Sequence, residues 1–193
     1  KDMGKQINVA LVGNPNTGKT SVFNELTGLT QKIGNYPGIT VEKKEGVTKL
    51  SRILTAHILD LPGTYSLNAS SLDESVVIEL LTDRNHKDYP DVAVVVSDIE
   101  NLKRNLLLFT QIKDLGIPTI LAINMADRMK QKGIELDIPK MEEQLKTKIA
   151  LISARKKTGF DELKKHIKNY SFLSTSACCD VSSIDKHYFD QLE

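Results

Sequence analysis

One stretch limits what this chain can fold into more than any other. Gly13-Asn14-Pro15-Asn16-Thr17-Gly18-Lys19-Thr20-Ser21 follows directly on the apolar run 7–12 and fits G-x-x-x-x-G-K-[ST] throughout. Glycines let the backbone wrap tightly, so that successive N–H groups point inward at an anion. A helix opening at Lys19 would aim its positive end at the same place. Lys19 reaches the outer phosphates of a nucleotide in such a loop, and the Thr20 hydroxyl is a magnesium ligand. The motif requires a strand before it and a helix after it. That requirement already selects an α/β fold.

The rest of the chain is consistent with this demand. Short runs rich in Val and Ile stand at 7–12, 53–59, 91–96, 118–123 and 149–152, apolar on successive residues rather than alternating. This is how strands of a parallel sheet covered on both faces read. Helical patterns lie between them, at 19–26, 73–81, 102–115, 139–145 and 160–167. Gly116 with Pro118 beyond it ends the third of these, and Gly159 precedes the last. Residues 41–50 lead through Ser51-Arg52 into the run at 53 and predict a hairpin with an antiparallel edge strand. The expectation is a P-loop α/β domain: a doubly wound, mostly parallel sheet of about six strands, one antiparallel at the edge, with helices on both faces.

Other motifs fall at the ends of these runs. Asn124-Met125-Ala126-Asp127 closes the run 118–123. A carboxylate at Asp127 can accept two N–H bonds from the guanine edge, which adenine cannot supply; the desolvated carboxylate would then cost roughly several kcal/mol. Asp60-Leu61-Pro62-Gly63 closes the run 53–59. There Asp60 would orient magnesium and the Gly63 amide would meet a γ-phosphate, although Asp-x-Pro-Gly is also good turn chemistry. Ser153-Ala154 closes 149–152 and could touch the base through backbone N–H. Thr40, after Gly38-Ile39, sits where a second magnesium hydroxyl is needed; a β-branched residue entering a strand reads equally well. Gly13, Asp60, Asn124 and Ser153 thus each fall at the carboxyl end of a different expected strand, the edge where open parallel sheets bind ligands.

Composition removes several classes of function. Charges balance, with 26 basic and 25 acidic residues, so nothing favours nucleic acid or an anionic membrane on charge. Cys178 and Cys179 are adjacent, which suits neither a disulfide framework nor a metal site, and the four histidines show no ligand spacing. A reduced cytosolic chain is the reading. No run approaches the roughly 20 apolar residues of a membrane span, and the short polar start does not read as a signal peptide. The chain reads as soluble and as a fragment of something larger. Residues 1–169 are expected to form the nucleotide domain. In 170–193 the pattern weakens into a Ser-rich linker over 171–183, and 182–192 could begin another helix.

These motifs resemble the Ras-like GTPase superfamily over about residues 6–168. Three stretches, Gly13 through Thr20 to Asn24, Gly34-Asn35-Tyr36-Pro37-Gly38-Ile39-Thr40-Val41-Glu42, and Asp60 through Gly63 to Leu67, are more particularly similar to the cytosolic domain of the ferrous-iron transport protein B family, as is 101–106. The resemblance implies a GTPase using GTP, GDP and Mg2+, on the cytoplasmic face of a bacterial inner membrane. Its partner would be a membrane channel region of the same parent chain, and 170–193 would begin a truncated helical domain. No nucleic-acid partner is implied, and self-association is left open. Lys19, Thr40, Gly63 and Asn16 would carry catalysis, with Thr20, Thr40 and Asp60 on magnesium. Many relatives place a water-orienting glutamine where this chain has Thr64, followed by Tyr65, so hydrolysis should be slow. The family further implies a potassium ion against the phosphates, held by Asn16 and loop carbonyls around 35–38; the same residue could simply brace the phosphate loop. The rivals are a soluble GTPase of ribosome assembly or tRNA modification, and a module that binds nucleotide without hydrolysing it. No residue reads as an iron ligand.

Overall fold

The computed structural model describes residues 4–177. The second part of the linker expected over 171–183, the helix expected at 182–192 and both cysteines lie outside the described residues.

Among the described residues seven strands form one sheet: β1 (Lys5–Gly13), β2 (Lys32–Asn35), β3 (Glu42–Lys49), β4 (Leu54–Asp60), β5 (Val92–Asp98), β6 (Thr119–Asn124) and β7 (Lys148–Leu151). Their order across the sheet is β2-β3-β4-β1-β5-β6-β7. From β4 to β7 all neighbours are parallel, whereas β3 runs antiparallel to both β2 and β4. The expected hairpin is therefore present, but its first strand is not the edge. Lys32–Asn35 pairs outside it, and all four of its residues are exposed. A short polar strand with no buried face leaves no period-two signal to read. The hairpin also turns one residue later than the apolar run implied, with Ile53 exposed and β4 starting at Leu54.

Six α-helices accompany the strands among the described residues: α1 (Lys19–Thr27), α2 (Leu72–Thr82), α3 (Leu102–Asp114), α4 (Met129–Lys132), α5 (Ile138–Leu145) and α6 (Phe160–Lys168), the last following β7. Their starts are written locally. The Ser71 side chain accepts from Glu74 N–H at 3.1 Å, and Asp137 accepts from Lys140 N–H at 3.2 Å, each satisfying an orphan donor of a first turn. The single turn α4 carried no readable pattern.

Two layers of helix cover the sheet, and β1 shows why. Its side chains alternate between two cores. Ala10 and Val12 pack with Val77 and Leu80 of α2, Leu106 and Phe109 of α3, and Met141 of α5. Ile7, Val9 and Leu11 pack with Val22 and Phe23 of α1 and Leu163 and Ile167 of α6. In β5 and β6 every residue is buried, which only a doubly covered sheet allows. Each large side chain so buried contributes roughly 1.5–3 kcal/mol. The central strand β1 lies between β4 and β5, so the loops leaving these parallel strands crowd together at one edge.

Candidate functional site

The loop between β1 and α1 is built on two unusual backbone positions. Gly18 has φ +78°, and a Cβ placed on it would come within 2.4 Å of the Asn124 side-chain amide. Asn16 also has positive φ, at +68°. The first reflects close approach between this loop and the end of β6. Asn124, 3% exposed, donates its amide to the Thr17 carbonyl at 3.0 Å and accepts from Ala154 N–H at 3.1 Å. One side chain thus joins the phosphate-type loop, β6 and the loop after β7.

Two cavities open on either side of this brace. The larger, 320 Å³, is lined by Lys19, Thr20, Thr40, Asp60 and Gly63 together with Glu42 and Lys44. Two hydroxyls and a carboxylate facing one cavity form an oxygen donor set of the kind magnesium accepts, so Thr20, Thr40 and Asp60 fit that ion. The Lys19 ammonium pairs with the Asp60 carboxylate and donates to the Leu61 carbonyl at 2.6 Å. An arriving phosphate would compete for that ammonium. Gly63 packs on Pro15: a Cβ there would lie 3.3 Å from the proline ring.

The second cavity, 190 Å³, is lined by Gly18, Ser21, Asn124, Met125, Asp127, Ser153 and Ala154, with Arg128 and Arg155 at its rim. Met125 takes the left-handed conformation, φ +62°, which turns the chain so that Asp127 follows within one short turn. A hydrogen bond from Ser153 holds the exposed Asp127 carboxyl below its ordinary range, aided by Arg155 and Arg128. Ser153 is itself fixed: its N–H and carbonyl pair with Thr158 at 3.0 and 3.1 Å, and its hydroxyl accepts from Lys156 N–H at 3.1 Å. An anionic, pre-positioned carboxylate beside two arginines is suited to accepting paired N–H donors from a planar ring.

Most residues singled out from sequence therefore converge on one edge, with three departures. Asn16 lines a different pocket, of 150 Å³, with Asn14, Pro15, Thr17, Tyr65, Asp98, Asn101 and Arg104. Tyr36, Pro37 and Ile39, in contrast, line a cavity against α2. Asn16 and the stretch from Tyr36 to Ile39 thus line separate pockets. Thr64, at the position often held by glutamine, is 3% exposed; its N–H donates to the Gly13 carbonyl at 3.0 Å and its hydroxyl to the Ser66 carbonyl at 2.7 Å. Sequence reasoning assigned no role to Arg128 and Arg155, whose signal was adjacency to motifs, to Asp98, which ends β5, or to Arg104, in the first turn of α3.

Comparison with known proteins decides the family. The family model described as ferrous iron transport protein B matches residues 7–167. The chain belongs to the ferrous iron transport protein B family. A relative from Leptospira biflexa, named Fe(2+) transporter FeoB, is 45% identical over 160 residues, covering 83% of this chain and 23% of that protein. The Escherichia coli K12 protein of the same name is 37% identical over 170 residues, covering 86% and 21%. The chain thus spans about a fifth of the length of these relatives. The crystal structure of the G domain of the T. maritima FeoB iron transporter superposes with a TM-score of 0.78 at 37% identity, covering 86% of this chain and 99% of that one. The cytosolic domain of the same transporter in its GMPPNP form gives 0.81 at 36%, covering 91% and 67%. These solved neighbours share the seven-stranded mixed sheet's class, a P-loop GTPase domain, and they favour the FeoB assignment over a soluble ribosome-assembly or tRNA-modification GTPase. Among the described residues, no helix is long and apolar enough to cross a membrane.

Proposed function

We propose that this chain is the guanine-nucleotide switch of a ferrous-iron membrane transporter, binding GTP and GDP with Mg2+ and hydrolysing GTP slowly. The observation that carries the reading is the Asn124 brace, which holds a phosphate-type cavity and a base-type cavity at a fixed separation. FeoB neighbours named as GDP and GMPPNP forms support the ligand class.

On this reading Lys19 and the loop amides of 13–20 bind the phosphates, and Asp127 with Ser153 selects guanine. Thr20, Thr40 and Asp60 would hold the magnesium, which when bound offsets charge on the phosphate oxygens. The Gly63 amide reads the γ-phosphate. With Thr64 turned into the fold, water is positioned by backbone or by another group, which accounts for a slow rate. Asn16 is proposed as a potassium ligand, reached when the 35–38 loop closes over the phosphates. The partner is the channel region of the parent chain, the setting the cytoplasmic face of a bacterial inner membrane, and the domain limits 1–169 and 170–193.

The test is phosphate release from GTP with magnesium, in potassium chloride against sodium chloride at equal ionic strength, with Asn16→Ala alongside. Stimulation by potassium that vanishes in the variant is the expected result. Equal rates in both salts would remove the potassium ligand and leave a plain switch. Failure of GTP to bind would remove the whole reading.

A further inference from the structure

The loop that carries Asp60 and Gly63 is fastened twice at its far end, and both fasteners stand on α3. Leu67 N–H donates to the Gln111 side-chain oxygen at 2.8 Å. The Arg104 guanidinium stands over the Tyr65 ring, 4.5 Å from its centre. Arg104 and Gln111 are two turns apart, so they present to the loop from one side of the helix. At its near end the loop is fixed by the sheet, through Leu61 N–H to the Leu11 carbonyl at 3.0 Å and Thr64 N–H to the Gly13 carbonyl at 3.0 Å. Gly63 lies between the two sheet anchors, two residues before Tyr65, and lines the larger cavity.

We propose that Arg104 and Gln111 are positioning residues for GTP hydrolysis: through Tyr65 and Leu67 they set where the Gly63 amide stands. The inference rests on the nucleotide reading above. Neither side chain lines the larger cavity, so neither touches the phosphates there. Their effect falls on whatever Gly63 contacts, which distinguishes GTP from GDP. A cation over an aromatic ring at an exposed site, and a hydrogen bond to a half-buried amide, are each worth about two- to tenfold in a rate.

The experiment uses the 193-residue chain and four variants, Arg104→Ala, Gln111→Ala, Arg104→Lys and Gln111→Glu, with the double alanine variant. Turnover at saturating GTP and GDP affinity are measured for each. Turnover is expected to fall about two- to tenfold in each alanine variant and further in the double variant, while GDP affinity stays within about twofold. Lysine keeps a cation over the ring and glutamate keeps the acceptor for Leu67, so both should recover most of the loss. Wild-type turnover in the double variant would overturn the proposal. So would GDP affinity falling in step with turnover, since that marks a general structural role. A wild-type chain that binds guanine nucleotide but releases no phosphate would overturn hydrolysis and the proposal with it. Arg104 is exposed, so its variants keep the test standing should Gln111→Ala fail to fold.

Discussion

Asn124 and Thr17 stand 107 positions apart in the chain and one hydrogen bond of 3.0 Å apart in space. Because the same amide also accepts from Ala154, the geometry of both cavities hangs on a residue that sequence reading had placed with the base alone. Replacing Asn124 with Ala strands the Thr17 carbonyl and the Ala154 N–H, at a cost of roughly 1–3 kcal/mol. Urea denaturation followed by circular dichroism should show that loss. Titration with fluorescent GDP should show weaker binding than the stability change alone explains.

Asp127 yields a pH prediction whose sign follows from its environment. Its carboxyl is held below the ordinary carboxylate range, chiefly by Ser153. The charged form therefore survives above and through the ordinary value near 4, and guanine binding is lost only as pH falls through the lower folded value. Removing the hydroxyl in Ser153→Ala moves the acid limb of GDP affinity upward toward that ordinary value. An unmoved acid limb in the variant would separate Ser153 from recognition.

Gly159, next to the Thr158 that pairs with Ser153, offers a stability test. It has φ +82°, and a Cβ would sit 2.1 Å from the Leu151 carbonyl oxygen. Left-handed strain alone costs an L-residue about 1–2 kcal/mol. Gly116, at φ +80° with nothing within 4 Å, should show only that when changed to Ala. Gly159→Ala should be destabilised distinctly more in urea, because the clash adds to the strain.

Thr64 holds the position where many relatives carry a water-orienting glutamine. Its burial argues against that role here. Thr64→Gln should cost about 1–3 kcal/mol by overpacking and leave phosphate release no faster than in the parent chain. A faster variant would mean that the loop readily turns residue 64 outward.

What could be read from sequence followed from local chemistry. The tight loop at 13–20, the carboxylates at 60 and 127 and the apolar runs each carry their reason within a few residues. Gly13, Asp60 and Asn124 do end β1, β4 and β6, and Ser153 follows β7. What could not be read depends on partners distant in sequence. Strand β2 has no buried face of its own and exists because β3 lies beside it. Asn124 as a brace requires Thr17 and Ala154, and Arg104 over Tyr65 requires α3 to pass that loop. The family resemblance groups Asn16 with 35–38; in this fold Asn16 lines one pocket and Tyr36, Pro37 and Ile39 another.

Helix α3 has one further attachment. Near its end the fully buried Lys113 donates to the Ser174 carbonyl at 2.9 Å, on the chain that leaves α6. The helix that grips the 60–67 loop therefore also grips the outgoing backbone. Thirteen residues of helix make a stiff rod about 20 Å long. Such a rod works as a lever: a small tilt imposed where it meets Tyr65 reappears as a displacement at Ser174, with no loop in between to absorb it.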